Sequence, residues 1–276
     1  MSELPVYRVS ARNTAPDSEN KMHDDRVAAE FGFRGGLVPG VTVYAYMTVP
    51  VVESLGLDWL ERGSMKVRFI QPFFDGDQVL VRSEQSSEGG FTVVKVRAER
   101  ETGELCASGE ASLSNEPRTL LPSPIADDSL PPGTPLPPAD DRLPATLDAL
   151  KPGTVFGSLS EAFDLELIAS TLLRKIDECL PIYYGPSAIA HPITLLTLSN
   201  YMLMQNVKLG PWIHASSDLV NYSVVRDGEM VTVNGRIHDT FERKGHEFVV
   251  LDLVVSSSDR LVQKVRHTAI FNPRKP

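Results

Sequence analysis

One histidine stands out for its setting. His23 lies in the polar, turn-prone run Asp17-Ser18-Glu19-Asn20-Lys21-Met22-His23-Asp24-Asp25. A glycine-punctuated loop follows, ending Phe33-Arg34-Gly35-Gly36-Leu37-Val38-Pro39-Gly40. An imidazole titrates near pH ~6.5, so it can take and return a proton at neutrality. Taken alone, a histidine in such a run is ordinarily solvated or caps a turn. Gly40 opens the uncharged run Val41 to Val52. Its bland role is backbone freedom. In a helix that begins there, the first amides lack acceptors, and the positive end of the dipole favours negative charge on an oxygen brought close to it. Proton transfer beside an anion-stabilising amide is the chemistry these residues could share.

The elements that must hold them in place occur twice. In the first half Trp59 is followed by Val67-Arg68-Phe69, the turn Asp75-Gly76 and a strand-like stretch from Phe91 to Ala98. In the second, Trp212 is followed by Leu219-Val220-Asn221, the turn Asp227-Gly228 and a matching stretch from Glu247 to Val255. Upstream, Ala188-Ile189-Ala190-His191-Pro192 sits where Gly36 to Gly40 sits, and the uncharged runs Val41–Val52 and Ile193–Met204 follow. Alternation in Met65–Phe69 and Val94–Ala98 predicts strands. The valines and threonines of Val41–Val52 favour a strand, whereas its length and leading glycine favour a buried helix, which Pro50 should kink or end. A proline-rich stretch, Pro117 to Pro152, divides the halves and predicts an extended, semi-rigid linker. The expected organisation is therefore a first repeat over 1–118, a linker over 119–152 and a second repeat over 153–276.

The segment from Asn20 to Gly40 resembles the signature of the MaoC-like, or (R)-specific enoyl-CoA hydratase, family. That signature is Asp-x-Asn-Pro-x-His, then an alanine six residues on and a glycine opening the central helix; Asn20, His23, Ala29 and Gly40 occupy those places. The aspartate position, five before the histidine, holds Ser18. The resemblance implies an α+β fold, a double hot dog in which each antiparallel sheet wraps one central helix. It selects the helix reading for Val41–Val52. It also implies an acyl-thioester hydratase or dehydratase that interconverts 3-hydroxyacyl and trans-2-enoyl thioesters of coenzyme A or carrier protein, without cofactor.

In that reading His23 is the base, the Gly40 amide meets the thioester carbonyl, and Asp17 or Ser18 is the second water-holding group. Asn20 would orient the loop, Asp25 would start a helix, and Thr48 would face the cavity. Arg34 could meet a phosphate of the carrier, although a lone loop arginine is ordinarily solvated. The second half carries a worn copy, Asp177-Glu178-Cys179-Leu180-Pro181-Ile182-Tyr183, with tyrosine in the histidine's place. It reads as a non-catalytic partner that shapes an acyl pocket. His214, His238, His246 and His267 lack metal-ligand spacing and are read as structural. A hot-dog thioesterase and a non-catalytic thioester-binding protein are the alternatives.

Composition narrows the rest. A net charge of -9 over 276 residues argues against a nucleic-acid partner. Cys106 and Cys179 alone make no disulfide framework, which fits a reducing cytoplasm. The start, Met1-Ser-Glu-Leu-Pro-Val-Tyr-Arg, lacks the build of a secretory signal. Val41–Leu57 comes nearest to a membrane span of about 18 apolar residues, but Pro50 and Glu53 interrupt it. No nucleophile elbow, dinucleotide turn or phosphate loop occurs. A remaining sheet edge offers a route to a homodimer.

Overall fold

The computed structural model describes residues 2–117, 121–125, 130 and 133–276. The rest of the proline-rich stretch lies outside the described residues.

The first half contains β1 (Ser2–Glu3), β2 (Tyr7–Ser10), α1 (Asp25–Glu30), α2 (Gly40–Arg62), β3 (Ser64–Phe69), β4 (Gln78–Glu88), β5 (Phe91–Arg100) and β6 (Leu105–Ser114). After β7 (Leu143–Pro144) the second half repeats the plan. It has β8 (Leu159–Ala162), α3 (Leu165–Ile168), α4 (Pro192–Asn206), β9 (Val207–Lys208), β10 (Ile213–Asn221), β11 (Met230–Arg243), β12 (His246–Ser257) and β13 (Arg260–Asn272). The strands order as β4-β5-β6-β3 in one half and β10-β13-β12-β11 in the other. One order is the reverse of the other, as a two-fold relation between repeats requires.

The halves meet through β3 and β10, which pair antiparallel with Met65 opposite Leu219 and Lys66 opposite Asp218. They form one 11-stranded sheet, ended by β1 and β2 on β4 and by β8 on β11. Each half folds its strands over its own long helix, and α2 and α4 also touch each other. One apolar cluster runs through both halves, from Tyr44, Tyr46 and Trp59 to Tyr183, Leu196 and Leu253. Burying each such large side chain contributes roughly 1.5–3 kcal/mol.

Every residue from Val41 to Val52 is buried, which explains why the run carries no charge. By length and composition α2 could cross a membrane, but most of it lies inside the core. Its break falls at Gly56 (φ 64°, ψ -155°) rather than at Pro50, which sits within continuous helix. A proline removes one donor from a helix that packing holds on several sides, whereas the Gly56 backbone leaves the helical region outright.

Beyond residue 133, the proline-rich stretch lies along the second half. Gly133 N–H bonds Asn234 Oδ1 at 3.3 Å, Pro135 bridges to Ser158, β7 pairs with β9, and Leu150 is fully buried.

Candidate active site

His23 ends a short 3-10 turn, Lys21–His23, that Asn20 caps by accepting the Met22 N–H. The glycine loop then crosses directly over the turn. A Cβ on Gly36 would stand 2.2 Å from the His23 carbonyl oxygen, so only glycine fits. The loop is fastened by Leu37 N–H to the Met22 carbonyl (3.1 Å), by Val38 N–H to Phe73 (2.8 Å) and by Gly36 N–H to Asp25 Oδ1 (2.7 Å). Asp24, not Asp25, caps α1, through Val27 N–H. Asp25 instead grips the loop, because the chain doubles back over the first turn of α1.

The crossing settles the histidine's state. His23 Nδ1 lies 2.7 Å from the Leu37 carbonyl, an acceptor only, so Nδ1 carries the proton. Nε2 is left as a lone pair, and Asn20 Nδ2 stands 3.3 Å from it as donor. Burial lowers the His23 pKa below its ordinary value, against the opposing Leu37 bond. Asn20 is buried and holds more than the histidine. Its amide donates to the Trp212 carbonyl (3.0 Å) and accepts from the Trp212 N–H (3.1 Å), tying this loop to the second half.

At the start of α2, Thr42 and Val43 donate to the Pro39 carbonyl at 2.9 and 3.2 Å. The Gly40 amide precedes them, at the positive end of a long helix. A Cβ on Gly40 would lie 3.1 Å from His214 Nδ1 and 3.2 Å from both His214 Cβ and Phe69. The glycine is therefore favoured by an aromatic wall packed closely against the helix start.

Behind the wall runs a polar chain. His214 Nε2 lies 2.8 Å from Ser217 Oγ, which lies 3.1 Å from His267 Nδ1, and the two rings are 4.3 Å apart. A hydroxyl has one proton. It donates to one imidazole and accepts from the other, so the two tautomers are coupled and His214 Nδ1 presents either a lone pair or an N–H. Burial, with the neighbouring His267, lowers the His214 pKa well below the ordinary value; burial alone takes His267 to about 3.

His23, Asn20 and Gly40 line one cavity of about 260 Å³. The second half supplies Asn200, Trp212, His214 and His246 to it, and Ile70 and Gln71 come from the first. None of its described lining residues is Asp, Glu, Lys or Arg.

The other expected site residues lie elsewhere. Asp17 is exposed and off the cavity, because the chain before the 3-10 turn faces outward. Ser18 donates its hydroxyl to the Asn20 carbonyl at 3.2 Å, shaping the turn. Thr48 is buried and donates to the Ala45 carbonyl at 2.8 Å, off the cavity wall. Arg34 is ion-paired with Asp77 and lies over the Phe74 ring at 4.3 Å. Histidines 214 and 246, read as structural, line the cavity. Among the described residues no cluster of His, Cys, Asp and Glu could hold a metal.

The matching position of the second half borders a cavity of about 800 Å³, lined by Glu178, Tyr183 and Tyr184, but His191 does not line it. His191 caps α4 by accepting the Ile193 N–H at Nδ1 (3.0 Å), and its Nε2–H donates to Glu178 Oε2 (3.0 Å). The Tyr183 ring lies against it at 4.4 Å. Burial pushes the Glu178 carboxyl up, but the His191 bond and charge and the Leu180 and Cys179 amides outweigh it, so its pKa falls below the usual range. His191, Glu178 and these amides satisfy one another and form a lock, whereas the buried Tyr183 hydroxyl has no partner.

No family model matches the chain, and no curated protein does. Solved structures are similar over almost its whole length. One described as a MaoC domain protein dehydratase from Chloroflexus aurantiacus is 12% identical, with TM-score 0.70, covering 99% of this chain and 95% of that one. A double-hotdog protein from Mycobacterium tuberculosis is 16% identical, with TM-score 0.61, covering 98% and 96%. One described as an oleoyl thioesterase from Lactobacillus plantarum is 10% identical, with TM-score 0.56, covering 99% and 98%. With one sheet built from two repeats, each wrapped on a central helix, the chain is a double hot dog.

Proposed function

We propose that the protein is an acyl-thioester hydratase or dehydratase, interconverting 3-hydroxyacyl and trans-2-enoyl thioesters of coenzyme A or carrier protein. One observation carries the reading. His23, whose Nε2 lone pair meets only the Asn20 amide at 3.3 Å, and Gly40, which opens α2, line a single cavity.

In the hydration direction, water's oxygen bonds to C3 while one of its protons passes to His23 Nε2. The double-bond electrons move onto the thioester oxygen, where the Gly40 N–H stabilises the enolate. The enolate then re-forms its carbonyl as C2 takes a proton from the imidazolium. Asn20 keeps the ring in register. No carboxylate among the described residues lines the cavity, so a single imidazole serves both proton transfers.

The same absence favours a second reading, an acyl-thioester binding protein without turnover, and weighs against a thioesterase that needs a carboxylate-activated water. Two free cysteines, Cys106 buried and Cys179 exposed, suit a reducing cytoplasm. A second copy would pair through the sheet ends at β1 or β8.

The test is incubation with crotonyl-CoA and longer enoyl-CoAs while the conjugated double bond and free thiol are followed together. The expected result is loss of the double bond, reduced about 100-fold or more by His23→Ala. Thiol release with an intact double bond would replace this reading with the thioesterase. Saturable binding without product, little changed by His23→Gln, would replace it with the binding protein.

A further inference from the structure

Three side chains lining the His23 cavity carry a buried polar atom with no hydrogen-bond partner: Asn200 Oδ1, Trp212 Nε1 and His214 Nδ1. All three belong to the second half, from α4, from the segment leading into β10, and from β10 itself. Buried polar groups are almost always bonded, because leaving one unmet costs most of its desolvation. All three residues border the same cavity, so a ligand there is the group placed to bring the partners, once the side chains turn their covered atoms toward it.

Their chemistry limits what that ligand offers. The indole N–H only donates, the amide oxygen only accepts, and His214 Nδ1 does either through its coupling to Ser217 and His267. A hydroxyl, which both donates and accepts, answers this set. A carboxylate or ammonium does not, since none of the described lining residues is Lys, Arg, Asp or Glu. At about 260 Å³ the cavity falls below the roughly 300–1,000 Å³ typical of drug-sized ligands, which favours a short acyl group.

We propose that this wall binds a hydroxyl carried beyond C3 of a short acyl chain, making hydroxyl-bearing acyl thioesters the preferred substrates over plain alkyl ones. The proposal rests on the acyl-thioester reading above. The hydroxyl is additional to the one that hydration places on C3.

The test compares three matched pairs on the full chain: trans-2-butenoyl-, pentenoyl- and hexenoyl-CoA against their 4-, 5- and 6-hydroxy derivatives. At least one hydroxy member is expected to exceed its parent in kcat/KM by about tenfold, the worth of one buried hydrogen bond. In Trp212→Phe and in Asn200→Leu that ratio should fall toward unity. Circular-dichroism melts identify a variant that fails to fold, and the wild-type ratios decide the matter without it.

Parents turned over as well as their hydroxy partners in every pair would overturn the proposal. So would variants that slow both members equally, because the wall would then serve the amides of the carrier arm. If no compound reacts, the hydratase reading fails by itself, and calorimetric Kd values for the same pairs decide this one. Hydroxy members binding tenfold tighter sustain it; equal or weaker binding overturns it.

Discussion

At the scale of single residues, the site turns on which His23 nitrogen holds the proton. The Leu37 carbonyl fixes Nδ1–H, so Nε2, 3.3 Å from the Asn20 amide, is the nitrogen left for the proposed base. Burial lowers its pKa, and the ring stays neutral at a pH where an exposed histidine would be half charged. The base must be neutral to act, so activity is present above the lowered pKa and lost as pH falls through it. The acid limb of kcat/KM should therefore have its midpoint below pH 6.5; a midpoint at or above that value would contradict the assigned environment. Asn20, His23 and Gly40 were legible in the sequence because their relation is local, set by one turn and one helix start. The outward face of Asp17 was not, since it depends on how the 3-10 turn leaves the strand before it. Still less legible was the His214–Ser217–His267 chain. Residues three apart on a strand face opposite sides, but the register shifts between His214 and Ser216, and this bulge brings His214 round to the side of Ser217. His267 joins only because β13 pairs with β10 in that register.

At the scale of elements, the start of α2 is where packing and chemistry compete. A helix gains about 1 kcal/mol when an interior glycine becomes alanine, but a methyl on Gly40 would press on His214 and Phe69 at 3.1–3.2 Å. Overpacking of that kind costs about 1–3 kcal/mol. Gly40→Ala should therefore be destabilised by up to about 2 kcal/mol in urea unfolding, with much of the loss restored by a second change, Phe69→Leu, that makes room. An alanine variant as stable as the parent would show that the wall yields. The helix itself was readable from its uncharged length. Its break was not, because Pro50 is the stronger local signal and Gly56 carries the actual departure from helical geometry. Elements also cross between the halves. Asn20 of the first repeat holds the backbone of Trp212, and Asn221 of the second donates to the Trp59 carbonyl at 3.1 Å. Each tryptophan is thus gripped by the other repeat, a reciprocity visible only once β3 and β10 are paired.

At the scale of the whole molecule, the shared sheet and the continuous core make the two repeats one cooperative unit, and buried imidazoles make that unit sensitive to acid. His23, His191, His214 and His267 all have folded-state pKa values below that of an unfolded chain, chiefly through burial. For a histidine with a depressed folded pKa, stability is fully present above about pH 6.5 and is lost as pH falls, because the unfolded chain takes up protons that the native state refuses. For His267 the window runs from about 6.5 down to about 3, and its loss is about 1.4 kcal/mol per pH unit within it. Urea unfolding between pH 6.5 and 5, above the carboxylate range, should show one transition whose free energy falls by more than a single proton's worth per pH unit. His267→Gln removes one of the titrating groups and should make that slope shallower by about one proton. Ser217 keeps its place opposite Val67 at the seam in that variant, so the change isolates the imidazole's protonation from the pairing of the halves. A flat profile over this range, or a slope the variant leaves unchanged, would mean that the seam admits a charged imidazole, and the coupled tautomers behind the Gly40 wall could then not be neutral.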